Sequence, residues 1–291
     1  MAKIAVELER AVRRREENSL PGTPSTRLLA QGKAWTVTDL LCTSGPRDRP
    51  FEEQHNWFSI AMVLAGSFQY RSSLGQELMT PGSLLLGNPG QYFECGHEHG
   101  AGDRCVSFQF SPEYFERIAE EAEIAPRFHM LRLPPLRELS SLIGKACAAL
   151  QDIRQPSWEE LSLQVAGTVL RHASGNVPPR PPTSASSLAR VTRVVRKIER
   201  NWHTSLTLGG MAREAGLSPF HFLRIFEQLT GLTPHQYLLR TRLREAAMQV
   251  MSTPAKVLDV ALDCGFRDVS NFNRNFRAEF QTSPRAYRAA Q

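Results

Sequence analysis

The sequence predicts an α+β chain of two dissimilar halves. A β-rich N-terminal half with accessory helices is linked to an all-α half of two tandem helix-turn-helix units. Three observations predict this. From about Leu28 to Phe110, short apolar or alternating runs are separated by Gly, Pro and Asn. From about Leu188 onward, nearly every segment carries a helical period. One skeleton, R-x-F, seven residues, then P-x-x-Y, is written twice: RIFEQLTGLTPHQY from Arg224 to Tyr237 and RNFRAEFQTSPRAY from Arg274 to Tyr287.

Composition bounds the reading. A length of 291 residues suits two domains, and 41% hydrophobic with 22% charged residues suits globular cores. No apolar run approaches the roughly 20 residues that span a bilayer, and the longest, FSIAMVLA from Phe58, reads as a buried strand. The N-terminal MAKIAVELERAVRRREEN has no apolar signal core, so a cytoplasmic protein without a membrane partner is expected. Five scattered cysteines (Cys42, Cys95, Cys105, Cys147, Cys264) argue against a structural disulfide framework. The net charge of +6 is uneven. From Ser186 onward there are 16 Lys+Arg against 8 Asp+Glu, and before it 19 against 21. A polyanion partner is therefore expected for the C-terminal third.

In order along the chain, residues 1–27 are an N-terminal extension. Its charged helix carries Ile4, Leu8, Ala11 and Val12 on one side and ends at Pro21-Gly22. The runs AWTVTDLL, FSIAMVLAG, SFQYRSS, SLLLGNPG, YFEC and CVSFQF then predict a small β-sandwich or barrel. At Ser111-Pro112 a cap and a first-turn proline open a helix. Leu136, Leu139, Leu142, Ile143, Ala146 and Leu150 form a second helical stripe, and Leu161, Val165, Thr168 and Val169 a third. These helices, about 111–172, pack either on the barrel of residues 28–172 or on a second subunit. Residues 173–187, ASGNVPPRPPTSASS, read as a proline-stiffened linker.

In residues 188–291, Val191, Val194, Val195, Ile198 and Trp202 mark one helical stripe. The two copies of the repeat then align. Ala212 and Gly216 match Ala261 and Gly265 at an offset of 49, and Phe222 and Phe226 match Phe272 and Phe276 at an offset of 50. The small residue faces its partner helix, the glycine supplies a positive φ in the turn, and the phenylalanines face one core. The units cover about 208–229 and 257–280, joined by a helix over about 234–251. The second helix of such a unit enters a DNA major groove. Off the core stripe lie Phe220, His221, Leu223 and Arg224 in the first copy, and Val269, Ser270, Asn273 and Arg274 in the second. Arg pairs bidentately with guanine, Asn with adenine, and apolar groups touch the thymine methyl. Either arginine could instead hold a phosphate or brace the fold.

GLSPFHFLRIFEQLTGLTPHQYLLRTRLREAAMQVM and VLDVALDCGFRDVSNFNRNFRAEFQTSPRAYR closely resemble the AraC/XylS class of bacterial transcription regulators. The resemblance covers about Leu188–Arg288. It implies an N-terminal effector domain, often a cupin-like barrel, followed by a helical dimerisation region (about 111–172). The implied partners are double-stranded DNA, a small-molecule effector, a second copy of the chain and, for an activator, RNA polymerase. Gly209-Gly210 departs from the family, which has better helix formers there.

The effector half raises one further question, at YFECGHEHGAGDRCVSF. Cys95, His97 and His99 share one face of an extended strand, and Cys105 can fold back beside them. Such a set suits Zn²⁺ or another transition metal, although the spacing is not a standard zinc-finger one; Glu94, Glu98 and Asp103 offer oxygen alternatives. Cys95 and Cys105 could also close a disulfide under oxidant. The plain alternative is a loop beside an organic-ligand pocket. That pocket is expected among Trp35, Trp57, Phe58, Phe68, Tyr70 and Phe93, with His55 and Arg71 as polar members. A competing function is a metal-dependent cupin-type enzyme using His97, His99 and a carboxylate. The tandem units argue against an enzyme.

Overall fold

A computed structural model describes residues 2–50, 52–151, 153, 157–173 and 184–289. In chain order it runs α1 (Ala2–Glu17), β1 (Pro24–Gln31), β2 (Trp35–Cys42), β3 (Glu52–Gln54), β4 (Phe58–Gly66), β5 (Phe68–Ser72) and β6 (Gly75–Met79). Next come β7 (Leu84–Gly87), β8 (Tyr92–Gly96), β9 (Asp103–Phe110), α2 (Pro112–Glu121), β10 (Arg132–Leu133), α3 (Arg137–Leu150) and α4 (Trp158–Ala173). The remainder is helical: α5 (Ala185–Asn201), α6 (Leu208–Ala215), α7 (Pro219–Thr230), α8 (Pro234–Ser252), α9 (Val257–Asp263), α10 (Val269–Phe280) and α11 (Pro284–Ala289). Two compact units result. One holds α1, the strands, α2 and α4; the other holds α3 and α5–α11.

The β unit is cupin-like, two antiparallel sheets ordered β1-β2-β9-β4-β7-β10 and β3-β8-β5-β6. Period-two alternation sorts β9 cleanly. Arg104, Val106, Phe108 and Phe110 lie on one face, while Asp103, Cys105, Ser107 and Gln109 lie on the other and border a cavity. Phe58 stacks on Phe115 with ring centroids 4.4 Å apart and meets Phe128 edge-on, so it belongs to the core. Ser111 caps α2 through Tyr114 N–H, which donates to its Oγ at 3.3 Å. Helix α1 buries Ile4 and Leu8, and its Glu7 pairs with Arg104 at 2.5 Å.

Three expectations need correction. The N-terminal extension does not reach residue 27, because β1 begins at Pro24 and pairs with β2 from Pro24↔Cys42. The short strands β3, β6 and β10 add to the expected ones; β3, Glu-Glu-Gln, has no apolar residue to announce it. The stripe of α3 is expected to meet the barrel or a second subunit, yet α3 packs on α8 and α10. Periodicity reveals that a helix has an apolar face, not what that face meets. Here Ser140 Oγ donates to Glu279 Oε1 at 2.6 Å, and Gly144 leaves room for the Tyr287 hydroxyl. Most of the expected linker, residues 174–183, lies outside the described residues.

In the helical unit the repeated skeleton has a shared geometry. Phe222 and Phe226 sit 5.4 Å apart at 59°, and Phe272 and Phe276 sit 5.4 Å apart at 56°. Phe226 meets Tyr237 edge-on at 5.7 Å, and Phe276 meets Tyr287 edge-on at 5.4 Å. Each proline begins the helix that carries the tyrosine, which is why P-x-x-Y recurs at fixed distance from the phenylalanine. Gly216 and Gly265 take φ values of 64° and 77°, ending the first helix of each pair where a Cβ would be strained. Gly209 and Gly210 fall in the first turn of α6, where Thr207 Oγ1 accepts from Gly210 N–H, so their cost is that of a helix end.

The helix joining the copies, α8, opens with a capping box. Gln236 N–H donates to Thr233 Oγ1 at 3.3 Å, and Thr233 N–H donates to Gln236 Oε1 at 3.1 Å. Thr233→Ala is expected to lower the stability of the helical unit by about 1 kcal/mol, read from the urea midpoint.

Candidate functional site

Two surfaces carry the candidate chemistry. The first is the outer face of α7 and α10. Ser218-Pro219 and Asp268 start these helices through side-chain caps on His221 N–H and Asn271 N–H. With Phe222, Ile225 and Phe226 buried, α7 turns Phe220, His221 and Arg224 to solvent and leaves Leu223 half-buried; Phe220 is 79% exposed. In α10, Phe272 and Phe276 are buried, Ser270, Asn273 and Arg274 are exposed, and Val269 is half-buried. Ala212 and Ala261 are buried as the small residues of α6 and α9.

The structure adds residues to these faces. Ser270, Asn273, Arg274 and Arg277 follow i, i+3, i+4, i+7, one exposed stripe. The matching stripe of α7 is Phe220, Leu223, Arg224 and Glu227. So the second unit presents a cation where the first presents an anion. The repeat offset of 50 pairs Glu227 with Arg277, so the contrast is written in the sequence.

Much of the basic excess is internal. Arg190 donates to the carbonyls of Ala215 and Gly216, and Arg242 to those of Trp202 and Thr204. Arg288 donates to the carbonyls of Val250 and Ala255, and Arg244 pairs with Glu199. These arginines close the helix ends and corners. Arg224, Arg267, Arg274, Arg277 and Arg285 remain exposed.

The second surface is a cavity of about 290 Å³ in the β unit. His55, Trp57, Phe68 and Phe93 line it, with Ser107 and Gln109 as polar wall groups. Of the other expected members, Tyr70 is buried behind His55, whose Nε2 lies 2.8 Å from its hydroxyl. Trp35 is buried beside Gly32, in register with Phe110, and does not line the cavity. Arg71 is held away from it by Glu94 at 2.6 Å and by Glu98 and Gln69. Alternation explains this, since Tyr70 and Arg71 are neighbours on β5 and face opposite ways.

The expected ligand set Cys95, His97, His99 and Cys105 does not close: Cys95, His97 and Cys105 line one cavity and Cys95 packs beside Cys105, but no three of the four place ligand atoms within 4.8 Å of one another. Strand β8 ends at Gly96, so the extended period fails before His99, which sits in the following turn. His97 instead meets Asp103, Nε2 to Oδ1 at 2.6 Å, and Cys42. Cys42, His97 and Asp103 place one ligand atom each within 4.8 Å of one another. Cys42 was missed because 61 residues of sequence separate it from Asp103, its partner in the β2·β9 register. No group of two histidines and a carboxylate is assembled among the described residues. All five cysteines are free thiols, so Cys95 and Cys105 are not bridged.

Comparison with known proteins agrees with both halves. The AraC-like ligand binding domain family matches residues 43–166, and a helix-turn-helix domain family matches residues 211–290. The transcriptional activator NphR of a Rhodococcus species is 41% identical over 110 residues, covering 36% of this chain and 32% of NphR. The activator AarP of Providencia stuartii is 31% identical over 98 residues, covering 34% of this chain and 73% of AarP. The chain belongs to the AraC/XylS family of transcriptional regulators. YbfI of Bacillus subtilis, an HTH-type regulator, is 28% identical over 233 residues, covering 75% of this chain and 79% of its own. The match to NphR spans less than two thirds of that protein.

Within this AraC-type ligand-binding domain two histidines line the cavity, His55 and His97, and of these His55 is neutral at ordinary pH. Burial pushes the pKa of His55 down to about 4, and its ring stacks on Phe93 at 4.1 Å and 14°. The unfolded chain takes up this proton near pH 6.5 and the folded chain only near pH 4. Stability is therefore lost as pH falls through that window, by about 1.4 kcal/mol per pH unit from this one group. His55→Gln is expected to flatten that part of the stability–pH curve, measured by thermal unfolding of the β unit at pH 7 and pH 4.5. An unchanged slope would assign the acid sensitivity elsewhere.

Proposed function

We propose that this chain is a sequence-specific transcription regulator whose two helix-turn-helix units engage neighbouring major grooves of one DNA site, under control of an effector held in the β unit. One observation carries the reading. The same buried aromatic frame occurs twice, and each copy leaves a different set of side chains exposed on its second helix. Helix α8, 19 residues long, spans about 28 Å and fixes the separation of the copies, close to the roughly 34 Å between successive grooves. Arg224, Arg274 and Asn273 would contact base edges, and Phe220 and Leu223 the methyl of thymine.

The cavity of about 290 Å³ suits a small organic effector packed on Trp57, Phe68 and Phe93. Such an effector acts through its differential affinity for the binding-competent and incompetent states. NphR and AarP are named activators, which favours an activator that contacts RNA polymerase, with the helices α2 and α4 as candidates for a homodimer contact. No helix among the described residues is long and apolar enough to cross a membrane. The proposed regulator meets its DNA in the cytoplasm. Selection of bound fragments from random DNA by the full-length protein tests the reading. Two enriched half-sites about one helical turn apart support it; a pool with no common sequence contradicts it.

A further inference from the structure

We infer that Cys42, His97 and Asp103 form a binding site for a borderline divalent metal of the zinc class, on the wall of the cavity in the β unit. Three ligands from three places in the chain converge there. Cys42 ends β2, Asp103 begins β9 directly opposite it in the ladder, and His97 follows the last residue of β8. The three side chains are buried, and the ligand atoms lie within 4.8 Å of one another. A tetrahedral zinc with bonds of about 2.0–2.3 Å holds its ligand atoms roughly 3.3–3.8 Å apart, so from separations within 4.8 Å closure needs a change of at most about 1.5 Å.

The donor set is one sulfur, one imidazole nitrogen and one carboxylate oxygen, the mixture zinc accepts and magnesium or calcium does not. Cys105 adds a second sulfur next to the site, its Sγ 3.3 Å from Asp103 Oδ2. The surroundings are ordered: Phe68 stacks beside His97 at 5.9 Å, and Gln69 and Arg71 hold Glu98, the residue after His97. On binding, the ion displaces the Cys42 thiol proton and the proton shared between His97 and Asp103, and both leave to solvent. Nothing is oxidised or reduced. The site does not rest on the effector reading, because an ion there can serve either as the signal or as a fixed part of the fold.

Titration of the reduced full-length protein with Co²⁺, a spectroscopic stand-in for zinc, tests this. The expected result is one ion per chain and a near-ultraviolet sulfur-to-cobalt charge-transfer band, abolished by a stoichiometric amount of Zn²⁺. Cys42→Ser should remove the band and weaken binding at least tenfold, while Cys147→Ser and Cys264→Ser leave it unchanged. Should Cys42→Ser fail to fold by circular dichroism, Asp103→Asn takes its place, with the band weakened at least tenfold in affinity. The wild type giving no band, or an undiminished band in the folded Cys42 or Asp103 variant, would overturn the assignment. A persistent hydrogen-bonded Cys42–His97–Asp103 cluster without an ion would then remain.

Discussion

Phe276→Ala is expected to destabilise the second helix-turn-helix unit by about 3–5 kcal/mol. Phe276 is fully buried, with ring centroids 5.4 Å from Phe272, 4.6 Å from Phe280 and 5.4 Å from Tyr287. Val250, Val260 and Phe266 belong to the same buried core. These belong to α8, α9 and the turn before α10, so the cavity left by alanine cannot close without moving a helix. A domain holds only about 5–15 kcal/mol in all, so the loss takes much of the reserve of this unit. Urea unfolding followed by tryptophan fluorescence and circular dichroism measures it. Phe226→Ala removes the equivalent ring, with its contacts to Phe222 and Tyr237, and is expected to act by a similar amount. A change below about 1 kcal/mol in both would contradict the shared aromatic frame.

Arg224→Ala and Arg274→Ala are each expected to cost about 1–3 kcal/mol of discrimination at one base pair, at different ends of the site. Both arginines are exposed at the same position of their unit, one residue past Leu223 or Asn273. The measurement is competition binding against single-base variants of the selected site. Loss of affinity equal for every sequence would assign the arginine to a phosphate. The two units should also differ in salt response. Arg277 stands in the stripe of the second where Glu227 stands in the first, so the second half-site carries the steeper dependence of affinity on salt.

How far the sequence led depended on the range of the signal. Strands β2, β4 and β9 are legible from short stretches: β2 writes a half-buried alternation into eight residues, β9 alternates apolar with polar side chains from Val106 to Phe110, and β4 is a continuous apolar run buried on both faces. The tandem units were legible because the frame Phe222–Phe226–Tyr237 and its copy lie within short stretches whose spacing the helix period dictates. What failed was long-range. The apolar stripe of α3 does not reveal that Ser140 satisfies Glu279, 139 residues later, where Arg137 and Arg240 also approach that carboxylate. Of the residues expected around a pocket, His55, Trp57, Phe68 and Phe93 line one cavity, while Trp35, Phe58, Tyr70 and Arg71 do not. An aromatic or a guanidinium in a strand has even odds of either face until register is known. The metal-ligand spacing misled for a related reason. Cys95, His97 and His99 alternate only while the strand continues, and it stops at Gly96. Charge counting overstated the DNA face as well, since Arg190, Arg242, Arg244 and Arg288 hold carbonyls and carboxylates within the helical unit.

The central claim is that one chain reads two grooves at a separation fixed by α8. The most direct test inserts five base pairs, half a helical turn, between the two selected half-sites and compares affinity and hydroxyl-radical footprint with the parent DNA. The insertion is expected to weaken binding by at least tenfold and to leave protection at one half-site only, because the joined units cannot follow a half-site rotated to the opposite side of the duplex. Undiminished affinity with both half-sites protected would contradict it.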